Sequence, residues 1–152
     1  EINPDFVDAY FSRGFSKSSL QDYRGAISDF SKAIEHNPQY SDAYFYRGNS
    51  KMFLQDYIGA ISDFSKAIEF DHRFSEAYCN RGVAKHFLQD YRGAIADYTA
   101  AINISPDYEV AYYSRGLSKI KLKQIDSGCI DLSKAGELGY EEAYEAIKKH
   151  CN

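Results

Sequence analysis

The sequence predicts an all-α protein of the α-solenoid class, built from antiparallel helix hairpins. Four of its ten glycines recur at one constant interval of 34 residues, at Gly14, Gly48, Gly82 and Gly116. The residues just before each glycine are nearly the same in all four places, as in the run Ala9-Tyr-Phe-Ser-Arg that precedes the first of them. A fixed period of this length is typical of repeat proteins, in which each unit buries its apolar face on its neighbours.

The first helix of each unit is predicted from repeated residues that stand three or four positions apart, as they do along one helical face. In the first unit this helix is expected to run roughly from Asp8 to Leu20. Two helices of a hairpin approach closely only where their side chains are small. We therefore expect Gly14 to face Ala26 on the second helix, and in the fourth unit Gly128 takes the place of that alanine.

The second helix begins after a short polar break. An aspartate at Asp22, repeated at Asp56 and Asp90, is predicted to be its N-cap. Apolar residues follow at helical spacing. Asn37-Pro38 is expected to end the helix, because proline disfavours the helical conformation in the residue before it.

The repeat predicts a single domain over residues 1–152, with units at 7–40, 41–74, 75–108 and 109–139. Pro4, Pro38 and Pro106 share one phase of the repeat, so residues 1–6 are expected to be the tail of an upstream unit. We accordingly expect the chain to be a fragment of a longer protein. Residues 140–152 combine early acids with late lysines, which favours a cap helix at the C-terminal end.

This pattern resembles the tetratricopeptide repeat family, in a form that looks bacterial. The marks of the family stand in the first unit at Tyr10, Gly14, Ala26, Phe30, Ala33 and Pro38. Two departures occur: His72 replaces the proline, and the fourth unit has Ile125, Gly128 and Leu132 at the places of tyrosine, alanine and phenylalanine. The resemblance covers all four units, and it implies a right-handed superhelix with a concave groove that binds peptides.

An arginine precedes each of the repeated glycines, and a lysine follows one turn later. In the family this arginine column is usually apolar, and a partly buried charge without a partner is costly. Only one acid recurs in all four units, so we predict structural ion pairs within each hairpin. The predicted pairs are Arg13 with Asp29, Arg47 with Asp63, Arg81 with Asp97, and Arg115 with Asp131. A catalytic or anion-binding role is the alternative, but an active site is not built four times.

Positions that differ between units share one face of each first helix, and in the family this face lines the groove. The face is rich in apolar and aromatic residues, which is typical of an interaction site. An alternative is that self-packing covers part of it. The predicted groove residues are Phe11, Phe15, Phe45, Asn49, Met52, Phe53, Cys79, Val83, His86, Phe87, Tyr113 and Leu117.

Family members that hold chaperone C-terminal tails use a clamp of lysines, asparagines and an arginine at these positions, and here only Asn49 fits. We therefore predict a non-enzymatic scaffold that binds an apolar or aromatic segment of a protein or peptide, not an acidic chaperone tail. Phe45 and Phe53 are the expected anchors. The alternatives are a self-assembling array that forms homo-oligomers, and a regulatory domain of a larger enzyme.

Other functions have little support in the sequence. The net charge of −4 gives no reason to expect nucleic acid, and no apolar run is long enough to cross a membrane. Cys79 and His86 share a helical face but lack paired zinc-ligand spacing, so no metal or cofactor is expected. The three cysteines, Cys79, Cys129 and Cys151, include no close pair. They predict no disulfide framework, and they favour a reducing, cytoplasmic compartment.

Overall fold

The computed structural model of the protein describes residues 4–151, with side chains from residue 6 onward. Of the predicted upstream tail at residues 1–6, residues 1–3 lie outside this range. The described residues form α-helices joined by short turns, and they contain no strand. The helices are α1 Pro4–Ser19, α2 Tyr23–His36, α3 Ser41–Phe53, α4 Tyr57–Phe70, α5 Ser75–Phe87, α6 Tyr91–Ile104, α7 Glu109–Lys121, α8 Ile125–Glu137 and α9 Glu142–His150.

The helices pack as consecutive hairpins, as the sequence predicts for an all-α solenoid: α1 packs on α2, α3 on α4, α5 on α6 and α7 on α8. The helices fall into two compact units. The first, ending at Arg73, contains α1 to α4, and the second, beginning at Phe74, contains α5 to α9. None of the described helices is long and apolar enough to span a bilayer.

The second helices begin at the predicted N-caps. The carboxylate of Asp22 accepts a hydrogen bond from the Gly25 amide at 2.9 Å, and Asp56 and Asp90 do the same for the equivalent glycines. This bond satisfies one of the amides that a helix leaves free at its start. α1 begins at Pro4 rather than near Asp8, since proline is well suited to the first turn of a helix.

The repeated glycines allow close packing, but against a different neighbour from the one predicted. A Cβ atom on Gly14 would lie 2.9 Å from the ring of Phe30, rather than first meeting Ala26. Gly48 and Gly82 face Phe64 and Tyr98 in the same way. Only in the fourth hairpin do two glycines meet, where a Cβ on Gly128 would lie 2.8 Å from the Gly116 carbonyl oxygen.

The cap helix α9 packs on α8 through buried Ala143 and Ala146, and the Tyr144 hydroxyl donates to the Gly136 carbonyl at 3.1 Å. A disulfide joins Cys129 of α8 to Cys151, with a Cα–Cα distance of 5.8 Å. The prediction that these cysteines form no disulfide is therefore wrong. Their separation of 22 residues carries no local signal, and only the antiparallel packing of α8 and α9 brings them together. The sequence argument for a reducing compartment loses its basis.

Candidate functional site

The repeated charges form one cluster per hairpin. In the second hairpin, Arg47 donates from Nε and from Nη2 to the two carboxylate oxygens of Asp63 at 2.9 and 2.7 Å, and Lys51 lies 2.7 Å from the same carboxylate. Each of the four predicted arginine–aspartate pairs has this forked geometry, with a lysine beside it. All four aspartates are buried. In each cluster the carboxylate is buried and already paired with two cations, an arrangement expected of packing rather than of an open anion site.

Two of these arginines also connect neighbouring hairpins within one compact unit. The third guanidinium nitrogen of Arg47 donates to the Ser31 hydroxyl of α2 at 3.0 Å, and Arg115 does the same to Thr99 of α6 at 3.1 Å. In the first hairpin, the hydrogen bond from Arg13 lowers the pKa of Asp29 to about 2, although burial acts in the opposite direction. That carboxylate is therefore ionised over the whole neutral range.

We call the face of α1, α3, α5 and α7 that carries the variable positions the variable face. In the first unit it is only partly open. Phe45 is buried and packs against Phe64, with ring centroids 5.9 Å apart. Phe11 is half-buried among other rings and beside the small core cluster of Val7, Ala33 and Ala43. The prediction that Phe45 anchors a ligand is contradicted by this burial.

The remaining predicted residues of the first unit are more accessible. Phe53 is 65% exposed and stacks on Tyr23, with ring centroids 4.5 Å apart and planes nearly parallel. Phe15 is 47% exposed and meets Tyr46 edge to face at 5.3 Å. Asn49 and Met52 are half-buried. This part of the variable face therefore carries two exposed rings, Phe15 and Phe53, each of which packs against one tyrosine ring.

In the second unit, Cys79 does not belong to the surface. It is completely buried in a core cluster with Tyr98 and Ala111, and this burial raises the pKa of its thiol to about 12. The prediction that Cys79 lines a groove is wrong, because this side chain of α5 packs in the core of the unit. Because burial raises the pKa of this thiol, very little reactive thiolate is present at neutral pH.

The other predicted residues of the second unit do meet around open depressions. A cavity of about 210 Å³ is lined by Val83, His86, Phe87, Tyr98, Ser114 and Leu117. A larger cavity of about 580 Å³ lies beside it, and we call it the cap pocket. Its walls are His86, Tyr113, Leu117, Ile120, Lys121, Glu142, Glu145, Ala146, Lys149 and His150. His86 and Leu117 line both cavities.

His86 is held in one orientation between the two cavities. Its Nδ1 lies 2.7 Å from the buried Ser118 hydroxyl, whose own proton is donated to the Ser114 carbonyl. Nδ1 must therefore carry the proton, which leaves Nε2 as an acceptor in the neutral ring. Burial, with the nearby charge of Lys121, lowers the pKa of His86, so the neutral form prevails at neutral pH.

Sequence analysis missed the part of the site that α9 contributes. Residues 140–152 were expected only to form a cap helix, yet Glu142, Glu145, Lys149 and His150 form one wall of the cap pocket. A weak signal was present, because Ala143-Tyr144 repeats Ala111-Tyr112 of the fourth unit. Within the range that the structure describes, no three histidine, cysteine or acidic side chains are arranged to hold a metal ion.

Known proteins share this architecture. A sequence model described as tetratricopeptide repeat matches residues 7–40 and 75–108, which coincide with the first and third predicted units. No curated protein sequence matches the chain. A crystal structure of MamA protein superposes with a TM-score of 0.88 at 24% identity, covering 95% of this chain and 80% of that one.

Two further structures agree. MamA 41-end from Desulfovibrio magneticus RS-1 gives a TM-score of 0.84 at 18% identity, covering 99% of this chain and 96% of that one. The first TPR of Spaghetti (RPAP3), bound to HSP90 peptide SRMEEVD, gives 0.78 at 20%, covering 80% and 97%. Likeness at such low identity concerns the fold. The two matched units, which recur with the 34-residue period, identify tetratricopeptide repeats in this chain.

Proposed function

We propose that this protein is a non-enzymatic scaffold that binds an apolar or aromatic peptide segment on its variable face, chiefly in the second unit. Tetratricopeptide repeat folds are scaffolds for protein–protein interaction, and the proposal assigns that role to particular residues. One observation carries it: two adjoining cavities share His86 and Leu117 and are lined by residues that differ from one repeat to the next. A constant scaffold with a variable lining is what recognition requires.

The lining favours apolar side chains as ligands. Val83, Phe87 and Leu117 present carbon surface around the smaller cavity, and Phe87 is 57% exposed. An acidic tail placed there would bury its carboxylates without donors, which costs several kcal/mol. A segment whose side chains are all acidic is therefore a poor ligand for the smaller cavity.

The test compares two fluorescein-labelled peptides by fluorescence anisotropy. One is a short synthetic peptide with leucine and phenylalanine side chains, and the other is a peptide of the same length with only aspartate and glutamate side chains. The apolar peptide should bind more tightly to the unmodified protein. The double substitution Phe87→Ala and Leu117→Gln should weaken its binding about tenfold or more, since two hydrophobic contacts are lost.

A matched control changes two apolar residues that are exposed on α8, outside both cavities. Ile125→Ala with Ile130→Ala removes similar carbon surface and should leave the affinity unchanged. Equal losses in both double variants, or a preference for the acidic peptide, would contradict the proposal. Light scattering of the free protein tests the self-assembly alternative on the same samples, and thermal unfolding shows whether each variant is folded.

A further inference from the structure

The cap helix continues the variable face instead of ending it. Because Ala143-Tyr144 repeats Ala111-Tyr112, Glu145 and Lys149 stand at the places that Tyr113 and Leu117 hold in α7. The structure bears out this register, since all four side chains line the cap pocket. In the second unit the variable face thus extends from α5 and α7 to α9, where its apolar lining becomes charged.

The charges of the cap pocket are sorted by sign along its length. α7 and α9 both run antiparallel to α8, as shown by the contact of Gly116 with Leu132 and by the disulfide from Cys129 to Cys151. The C-terminal ends of α7 and α9 therefore lie at the same end of the pocket. That end carries Lys121, Lys149 and His150, and the other end carries Glu142 and Glu145.

An apolar floor separates the two ends. Tyr113, Leu117 and Ile120 stand at helical spacing along α7, and Ala146 faces them from α9. Among the residues that the structure describes, Lys121, Lys149, Glu142 and Glu145 form no ion pair with one another or with any neighbour. Their charges are therefore available to a ligand, at two ends of a surface that suits a carbon side chain.

We propose that the cap pocket binds a peptide segment in which an apolar side chain lies between one basic and one acidic residue. The basic residue pairs with Glu142 and Glu145, and the acidic residue pairs with Lys121 and Lys149. This inference rests on the proposed function and names the chemistry of the segment at the end of the variable face. The rise of an α-helix places Glu142 and Lys149 about 10 Å apart along α9. The two charges of the ligand are therefore about three residues apart in an extended segment and about seven apart in a helix.

Segments with one sign of charge fit this pocket poorly. An acidic segment would place carboxylates beside Glu142 and Glu145, and a basic segment would place ammonium groups beside Lys121 and Lys149. Like charges at such a distance repel each other, and because Lys121, Glu142, Glu145 and Lys149 are exposed, solvent keeps this repulsion modest. Selection by repulsion at both ends gives the site its specificity.

The test uses synthetic peptides that share one apolar core and differ only in the two flanking residues, which are Lys and Glu, Lys and Lys, Glu and Glu, or Ser and Ser. Extended and helical spacings form two series. In one of the two series, the unmodified protein should bind the Lys and Glu peptide about threefold to tenfold more tightly than each of the other three peptides. The double variant Glu142→Lys with Glu145→Lys should shift the preference to the Glu and Glu peptide. Lys121→Glu with Lys149→Glu should shift it to the Lys and Lys peptide.

The control variant Lys134→Glu with Glu137→Lys reverses charges on the outer side of α8 and should change none of these preferences. If the unmodified protein binds all four peptides equally well and the variant Phe87→Ala with Leu117→Gln loses this binding, the cap-pocket inference is overturned. The proposed function then stands. No binding of any apolar peptide would overturn both. Preferences that fail to follow the charge reversals, in variants with normal helical circular dichroism, would also contradict the inference.

Discussion

At the scale of single residues, the most consequential feature is a buried carboxylate between two cations, built four times. Asp63 illustrates it, with Arg47 and Lys51 both within 2.9 Å of its oxygens. Such a cluster gives little net stability compared with an apolar core of the same volume. Loss of one partner, however, leaves the other charge unpaired in a site with little water. The hairpins therefore tolerate loss of the whole pair better than loss of one member.

We expect Arg47→Met and Asp63→Asn to be coupled. Each single substitution should lower the free energy of unfolding by roughly 2–4 kcal/mol, because it leaves a partly buried group without its partner. The double variant should be less destabilised than the sum, with a coupling energy of about 1 kcal/mol or more. Urea unfolding of the four proteins measures this energy. Strict additivity would show that the pair makes no specific interaction.

The ion pair of the first hairpin should make the free energy of unfolding depend on pH in the acid range. The folded pKa of Asp29, about 2, lies below its ordinary value of 3.8, mainly because Arg13 donates a hydrogen bond to it. The unfolded state therefore binds the proton more readily. The stabilisation is complete above pH 3.8 and is lost as the pH falls through the folded pKa of about 2. It amounts to at most about 2 kcal/mol, since Arg13 is half exposed and solvent screens the pair.

A comparison of the parent protein with Asp29→Asn tests this dependence. The difference in unfolding free energy should shrink below pH 3.8, and the carboxyl carbon of Asp29 should titrate in NMR near the lower pKa. A constant difference from neutral pH down to pH 2 would mean that Arg13 does not favour the ionised form.

The two rings expected to anchor a ligand should behave differently from each other. Phe45→Ala should lower the unfolding free energy by about 3–5 kcal/mol, because it opens a cavity beside Phe64. Phe53→Ala should cost only about 1 kcal/mol, since that exposed ring loses little beyond its stack on Tyr23. Thermal unfolding distinguishes the two variants, and equal losses would contradict the assignment of Phe45 to the core.

At the scale of helices, the repeat made most boundaries predictable because they are set by local chemistry. Asp22 and its equivalents cap the second helices as expected, since a capping bond spans only three residues. Contacts between helices were harder to predict. Whether Phe45 and Cys79 face in or out depends on a rotation of the first helix, which the apolar pattern leaves open when both of its faces are apolar.

The C-terminal helix was the least predictable element for the same reason. Its sequence shows acids at one end and lysines at the other, a pattern that stabilises any exposed helix. That these charges also line a pocket follows only from the packing of α9 on α8. The disulfide depends on the same packing, so the two surprises of the structure share one cause.

We expect the disulfide to hold α9 in place. A bridge that closes a loop of 22 residues restricts the unfolded chain and contributes roughly 3 kcal/mol to stability. Reduction, or Cys151→Ser, should therefore lower the melting temperature and increase hydrogen exchange most strongly in α9. Mass spectrometry of exchanged peptides resolves this, and the buried thiol of Cys79 is inaccessible as a substitute partner. Unchanged exchange in α9 after reduction would show that Ala143, Ala146 and Tyr144 suffice to hold it.

At the scale of the whole molecule, packing is dominated by helices that are neighbours in sequence. Within each compact unit, every helix packs on the next, and contacts to the helix after that are few. Stability in such a chain is approximately a sum of hairpin terms and nearest-neighbour terms. The variable face can therefore change from repeat to repeat without disturbing the interior of distant hairpins, which is what allows a scaffold to vary its ligand surface.

This local character predicts where a core substitution is felt. Phe30 in the first unit and Tyr98 in the second are matched positions, each buried and packed against the close-contact glycine of its hairpin. Replacing either ring with leucine should cost roughly 1–3 kcal/mol, because the smaller side chain cannot fill the ring site. Hydrogen exchange should increase mainly in α1 to α3 for Phe30→Leu and in α5 to α7 for Tyr98→Leu, since these are the helices around each ring. Exchange that rises equally in all helices of either variant would mean that the chain opens as one cooperative body, and the additive description of its stability would then fail.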